Sequence, residues 1–118
     1  MSRHHEELYV GHIQNPIANA INWASYVTQA EFMSDEFVQS AIIRQLEIAG
    51  EAAGRLSEAF RQAHPEIEAR RLKALRNVLI HGYADVDLDT VWDIVTHDLP
   101  ALQRQLRGQG DSGRHAGD

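Results

Sequence analysis

Apolar residues recur three and four positions apart along most of this chain, with no convincing run of the single alternation with polar residues that a half-buried strand requires. That pattern closes off sheet architectures and leaves helices, each burying one stripe. Leu8, Ile13, Ile17, Ala20, Ile21, Ala24 and Val27 predict a first helix from about Glu6 to Thr28. Asn15-Pro16 interrupts it and reads either as a kink or as a fresh start with proline in the first turn. QAEFMS reads as a loop, with Ser34 as the next N-cap and Asp35 and Glu36 suited to the positive end of a helix dipole. Val38, Ile42, Leu46, Ala49, Ala53, Leu56 and Phe60 carry the second helix to about Gln62. Within it, GEAAG at Gly50 to Gly54 gives up helix propensity, of about 1 kcal/mol per glycine, and so marks a place where a neighbour approaches closely.

His64-Pro65 ends that helix, because the residue before proline is pushed out of helical geometry. Ile67, Leu72, Leu75, Leu79 and Ile80 predict a third from about Ile67 to His81, with Gly82 as its C-terminal glycine. Asp87 or Asp89 caps a fourth, which runs through Leu88, Val91, Trp92, Ile94, Val95, Leu99, Leu102 and Leu106 to about Arg107 and is bent or restarted at Pro100. Four amphipathic helices on short connections predict an all-α antiparallel bundle. At 118 residues, 43% of them hydrophobic, the chain suits one domain, here residues 1–107. The tail 108–118, GQGDSGRHAGD, has four glycines and no apolar face, and is expected to be disordered.

The absence of cysteine excludes disulfides and thiolate metal sites. MSRHHEELYV lacks the apolar core of a signal peptide, and no apolar run reaches the roughly 20 residues of a membrane span, so a cytoplasmic, soluble protein is expected. Seventeen acidic against eleven basic residues leave a net charge of −6, an unfavourable global field for a nucleic acid. Any nucleic-acid site must be local.

RNVLIHGY, Arg76 to Tyr83, places an arginine, a histidine and a tyrosine around an apolar helical run. One explanation is structural: histidine before glycine suits a helix end, and Arg70, Arg71, Lys73 and Arg76 suit a solvated helix face. The other is chemical. Metal-independent RNA cleavage needs a base for the 2′-hydroxyl proton and positive charge on the phosphate. His81 and Arg76 are the residue types for those jobs, with no cofactor implied. Five helical positions leave the two about 140° apart around the axis, whereas Asn77 shares a face with His81 and stands as a supporting residue. Convergence requires that Arg76 wrap around, that the helix loosen before Gly82, or that a twofold interface join two chains.

RNVLIHGY also matches the Arg-x4-His-x-Tyr signature of the HepT-like toxins, a branch of the HEPN superfamily of all-helical ribonucleases. Residues Ala41 to Ile67 resemble the family's long second helix and the loop after it, and Asp85 to Leu102 its fourth helix. The resemblance implies a homodimeric HEPN-type bundle and a metal-independent endoribonuclease toxin with Arg76 and His81 as its catalytic pair. It also implies a nucleotidyltransferase antitoxin that transfers AMP to Tyr83. The basic run Arg70, Arg71 and Lys73 is then the expected RNA entry.

Arg44, Glu47 and Glu51 fall on one helix face and form either an intrahelical charge ladder or the far wall of a cleft opposite His81, where Glu47 and Glu51 would be supporting residues. Asp85, Asp87 and Asp89 lack the glycine and glutamate of a calcium loop, Thr90 and Thr96 standing there instead, and read as caps; no metal site is expected. Two other readings stand beside the enzyme: a catalytically silent module that binds a nucleotidyltransferase, and a structural bundle in which His81-Gly82 only ends a helix.

Overall fold

The computed structural model describes residues 3–107, and side chains for 5–81 and 85–107. The chain is all-α among these residues, as its periodicity predicts. The elements are α1 (Arg3–Ala24), α2 (Gln29–Ser34), α3 (Glu36–Gly54), α4 (Glu58–Ala63), α5 (Ala69–Asp85) and α6 (Leu88–Asp93). A π-helical turn, Ile94–Asp98, continues α6 into helical residues 99–107, so that 88–107 form one composite helix. The expected tail, 108–118, lies outside the described residues.

Helix α3 is the centre of the packing, with α1 on one side and α5 on the other. Ile13, Ile17, Ala20, Ile42, Leu46, Ala49, Ala53 and Leu75 are fully buried in this layer, and the composite helix adds Val91, Leu99, Leu102 and Leu106. Gln14 donates to the Leu106 carbonyl at 3.2 Å, tying α1 to the end of the composite helix. The α3–α5 approach depends on Gly50: a Cβ there would stand 2.5 Å from the Leu75 carbonyl oxygen. Close approach is thus what GEAAG provides.

Several expected boundaries differ, each for a local reason. QAEFMS is not a loop but α2, set off by a capping box in which Thr28 accepts from the Glu31 amide while the Glu31 carboxylate accepts from the Thr28 amide. Burial of Phe32 anchors this short helix against Trp92, their ring centroids 5.2 Å apart. The cap of α3 is Asp35, not Ser34; its carboxylate accepts from the Phe37 and Val38 amides. The second predicted helix stops at Gly54 because Ser57 starts α4, accepting from the Phe60 amide. Ser57 also donates to Glu6 at 3.0 Å, and its amide reaches the same carboxylate at 3.3 Å, which satisfies an otherwise costly buried charge.

Helix α1 runs unbroken through Pro16. Pro100 does not break its helix either. It stands two residues beyond the π turn, where the Leu99 amide bonds to the Ile94 carbonyl five residues back. The wider turn leaves room near a ring that has no N–H. The third predicted helix is corrected at both ends: α5 begins at Ala69 after an N-cap at Glu68, and passes through His81 and Gly82 to Asp85. No helix among the described residues is long and apolar enough to cross a membrane.

Candidate functional site

Because α5 continues to Asp85, His81 lies a full turn inside a helix, where dipole complementarity does not account for it. Its neighbours on the outer side of α5 are Lys73, Arg76, Asn77 and Ile80, all exposed. Positions 73, 76, 77, 80 and 81 make one helical stripe. Arg76 and His81 mark its two edges, with Lys73 and Ile80 between them; Ile80, 69% exposed, is an apolar residue left largely open among the described residues.

The two edges face different neighbours. Arg76 lies over the end of α3: a Cβ at Gly54 would be 3.0 Å from its Nε and 3.3 Å from its Cζ. The two glycines of GEAAG therefore serve different ends, Gly50 admitting the α5 backbone and Gly54 admitting a guanidinium. His81 instead lines a groove of about 470 Å³ between α5 and the composite helix, together with Asn77, Asp85, Asp87, Asp93 and Asp98. Asn77 and His81 are brought together, as their spacing requires. Arg76 and His81 of one chain are not, since Arg76 rests on α3 and α5 stays helical between them.

Glu47 pairs with Arg44 at 3.6 Å within α3 and Glu51 with Arg55, the C-cap of α3, at 3.4 Å, and neither glutamate lines the His81 groove. Such exposed pairs are worth about 0–1 kcal/mol each. Tyr83 falls in the last turn of α5, and its side chain is outside the described residues.

The basic run divides. Arg71 reaches Glu68 at 2.9 Å and Asp98 at 2.7 Å, and Arg70 reaches the same two carboxylates at 3.3 and 3.4 Å. Two cations against two anions leave little local field from this pair. Arg71, its side chain 13% exposed, is thereby a brace between the start of α5 and the π turn. Among the described residues Lys73 and Arg76 form no ion pair, and they are the positive charge left on the stripe. Nothing in the sequence pointed to this division, because Asp98 is 27 positions from Arg71.

Hydrogen bonds from Arg71 and Gln105 hold the Glu68 carboxyl below its ordinary range, with the Arg71 and Arg70 charges acting in the same direction. A lowered folded pKa means that Glu68 stabilises the fold above the ordinary carboxylate range and loses that contribution as pH falls through the lowered value. The stability difference between wild type and Glu68→Gln is accordingly expected to be constant at neutral pH and to shrink in acid, as urea denaturation at a series of pH values would show. A difference that grows on acidification would contradict this.

A family model described as "Ribonuclease HepT-like" matches residues 14–108. A protein of Thermococcus cleftensis named "Probable ribonuclease HepT" is 35% identical over 103 residues, which cover 87% of this chain and 93% of that protein. A Methanocaldococcus jannaschii protein named "Putative RNase" is 29% identical over 106 residues, 90% of this chain and 97% of that protein. Another from the same organism, named "Gamma-glutamylcyclotransferase and putative RNase", is 32% identical over 100 residues; these are 85% of this chain but 45% of that protein, so the chain spans under half its length. No solved structure matches the chain. The family match takes in the second half of α1 and everything from α2 to the end of the composite helix, including the whole RNVLIHGY stripe, and the all-α bundle is of HEPN type. The chain belongs to the ribonuclease HepT-like family.

Proposed function

We propose that this chain is a metal-independent endoribonuclease, the toxin of a toxin–antitoxin pair, which cleaves RNA with His81 as general base and Arg76 as phosphate clamp. The observation that carries this reading is the placement of His81: exposed, beside a groove, and a full turn inside α5, where the helix-ending explanation no longer applies. The family match and the names of the relatives support it.

The working unit in this proposal is a homodimer. Arg76 and His81 flank an exposed stripe with Ile80 near its middle. A twofold axis near Ile80 would bury that side chain against its copy and carry each Arg76 toward the partner's His81 edge. RNA would then meet Lys73 and Arg76 first, while Arg70 and Arg71 remain committed to Glu68 and Asp98. His81 takes the 2′-hydroxyl proton, the 2′ oxygen attacks the adjacent phosphorus as the P–O5′ bond breaks, the departing 5′ oxygen takes up a proton from water, and Arg76 offsets the charge gathering on the phosphate oxygens. The products are a 2′,3′-cyclic phosphate and a 5′-hydroxyl. A nucleotidyltransferase antitoxin silences the enzyme by placing AMP on Tyr83, two residues beyond His81, where added bulk and negative charge compete with the substrate phosphate. The setting in this reading is cytoplasmic.

End-group analysis of RNA incubated in EDTA tests the chemistry. Cyclic phosphate ends are expected, and 5′-phosphate ends or loss of activity on chelation would refute it. For the regulation, mass spectrometry after incubation with the nucleotidyltransferase and ATP is expected to show AMP on wild type and none on Tyr83→Phe, a variant that keeps most of its cleavage. AMP on another residue would assign the wrong regulatory position.

A further inference from the structure

The groove beside His81 is lined by carboxylates, an odd neighbour for an enzyme that holds a phosphate. Asp87 is spent on capping α6, accepting from the Asp89 amide and the Thr90 hydroxyl, and Asp98 is spent on Arg70 and Arg71. Asp85 and Asp93 have no hydrogen-bond or ion-pair partner among the described residues, nor has Asn77. All three line the same groove as His81, whose walls also include Ala74 and the buried Val78 and Ile94. At about 470 Å³ it falls within the size of small-ligand sites, with apolar walls and a few polar groups. It is also braced: Arg71–Asp98 and the Gln105–Glu68 hydrogen bond at 2.8 Å hold the composite helix to the start of α5.

Like charges keep a phosphate out of this space. The uncharged part of a nucleotide, its base, meets no such barrier, and recognition of single-stranded RNA works by splaying a base into a protein site. We propose, resting on the ribonuclease reading above, that the groove receives a guanine of the substrate while its phosphate lies on the stripe between Arg76 and His81. The edge chemistry selects that base. Guanine presents N1–H and the N2 amino group side by side, two donors for a carboxylate of Asp85 or Asp93, and beside them O6, an acceptor for the Asn77 amide. Uracil presents two carbonyl oxygens around a single N–H and sets acceptor against acceptor. A basic protein segment would also satisfy the carboxylates, but in the ribonuclease reading it has no reason to sit beside His81, whereas a substrate base does.

The test uses the full chain, labelled for amide NMR, and single-stranded trinucleotides blocked against cleavage by 2′-O-methylation, with guanine or uracil at the variable position. The guanine form is expected to shift the amides of Asn77, Thr90 and Asp93 and to bind about tenfold more tightly than the uracil form, the discrimination of one bidentate contact. Asp85→Asn/Asp93→Asn, which changes only exposed carboxylates that have no partner among the described residues, is expected to bring the two within about threefold. Equal binding of guanine and uracil by wild type, an unchanged preference in the double variant, or shifts confined to Lys73 and Arg76 would each overturn the assignment. A tetra-arginine peptide that reproduces the groove shifts and displaces both trinucleotides alike would reassign it to a basic protein segment. Unblocked trinucleotides separate the two levels: guanine-selective binding without cleavage keeps the groove and sinks the ribonuclease reading, and cleavage without groove shifts does the reverse.

Discussion

Replacing His81 with alanine is expected to lower RNA cleavage by about 100- to 10,000-fold, the range one positioned general base supplies. Its unfolding midpoint should hardly move, because an exposed side chain with no partner among the described residues is worth about 0.5 kcal/mol or less. Arg76→Ala should also lose cleavage, since phosphate charge then goes uncompensated. The two variants together reveal more than either alone. In one chain the two side chains face different neighbours, Gly54 on α3 and the groove beside the composite helix. If the site forms across a twofold axis, a heterodimer of His81→Ala with Arg76→Ala contains one intact site and one doubly damaged one. An equal mixture, half of it heterodimer, should therefore recover about a quarter of wild-type activity. Recovery of nothing, with exchange between subunits demonstrated, would place both residues in a single-chain site and remove the reason for a composite one.

Gly50→Leu is expected to have the largest effect on stability, about 3 kcal/mol or more, read as a lowered urea midpoint. A Cβ at Gly50 would lie 2.5 Å from the Leu75 carbonyl oxygen and 2.9 Å from its carbon. These are backbone atoms of α5, so no side-chain rotation relieves the clash and the two helices must part. Removing a helical glycine recovers only about 1 kcal/mol of propensity, and the packing loss exceeds it. Gly54→Ala is the informative contrast. Its new methyl meets the Arg76 side chain, 3.0 Å away at Nε, and an exposed arginine can swing aside. Stability should be kept or slightly raised while cleavage falls, because the guanidinium is displaced from its bed. A Gly50→Leu protein as stable as wild type would show that the α3–α5 contact is looser than this geometry.

How much was legible beforehand depended on distance along the chain. Periodicity alone determined the helical class and most of the buried stripe, since Ile13, Ile17, Ile42, Leu46, Leu75 and Leu99 repeat with the helix and their burial follows from its turn. Spacing likewise placed Asn77 and His81 on one face and Arg76 away from them. The Thr28–Glu31 capping box was legible too, as a Thr-x-x-Glu pattern, and QAEFMS reads as a loop only if it is overlooked. The end of α5 was harder. Glycine after histidine is a common stop, but it is optional, and the helix passes Gly82 to finish at Asp85, just before the Asp87 cap of α6.

Other features were decided by tertiary structure. Whether Arg71 is a nucleic-acid contact or a brace turns on Asp98, which reaches it only because the composite helix folds back along α5. The difference between Gly50 and Gly54 is a difference in what α5 presents opposite each, a carbonyl or a guanidinium. Asp85 and Asp93 share a groove with His81 because two helices meet at one angle and one separation, and no pattern in either helix records the other. A sequence writes local periodicity directly, since neighbours four residues apart are fixed by the helix itself. It writes contacts between distant helices only through the sum of all the packing that brings them together, and that sum had to be seen folded.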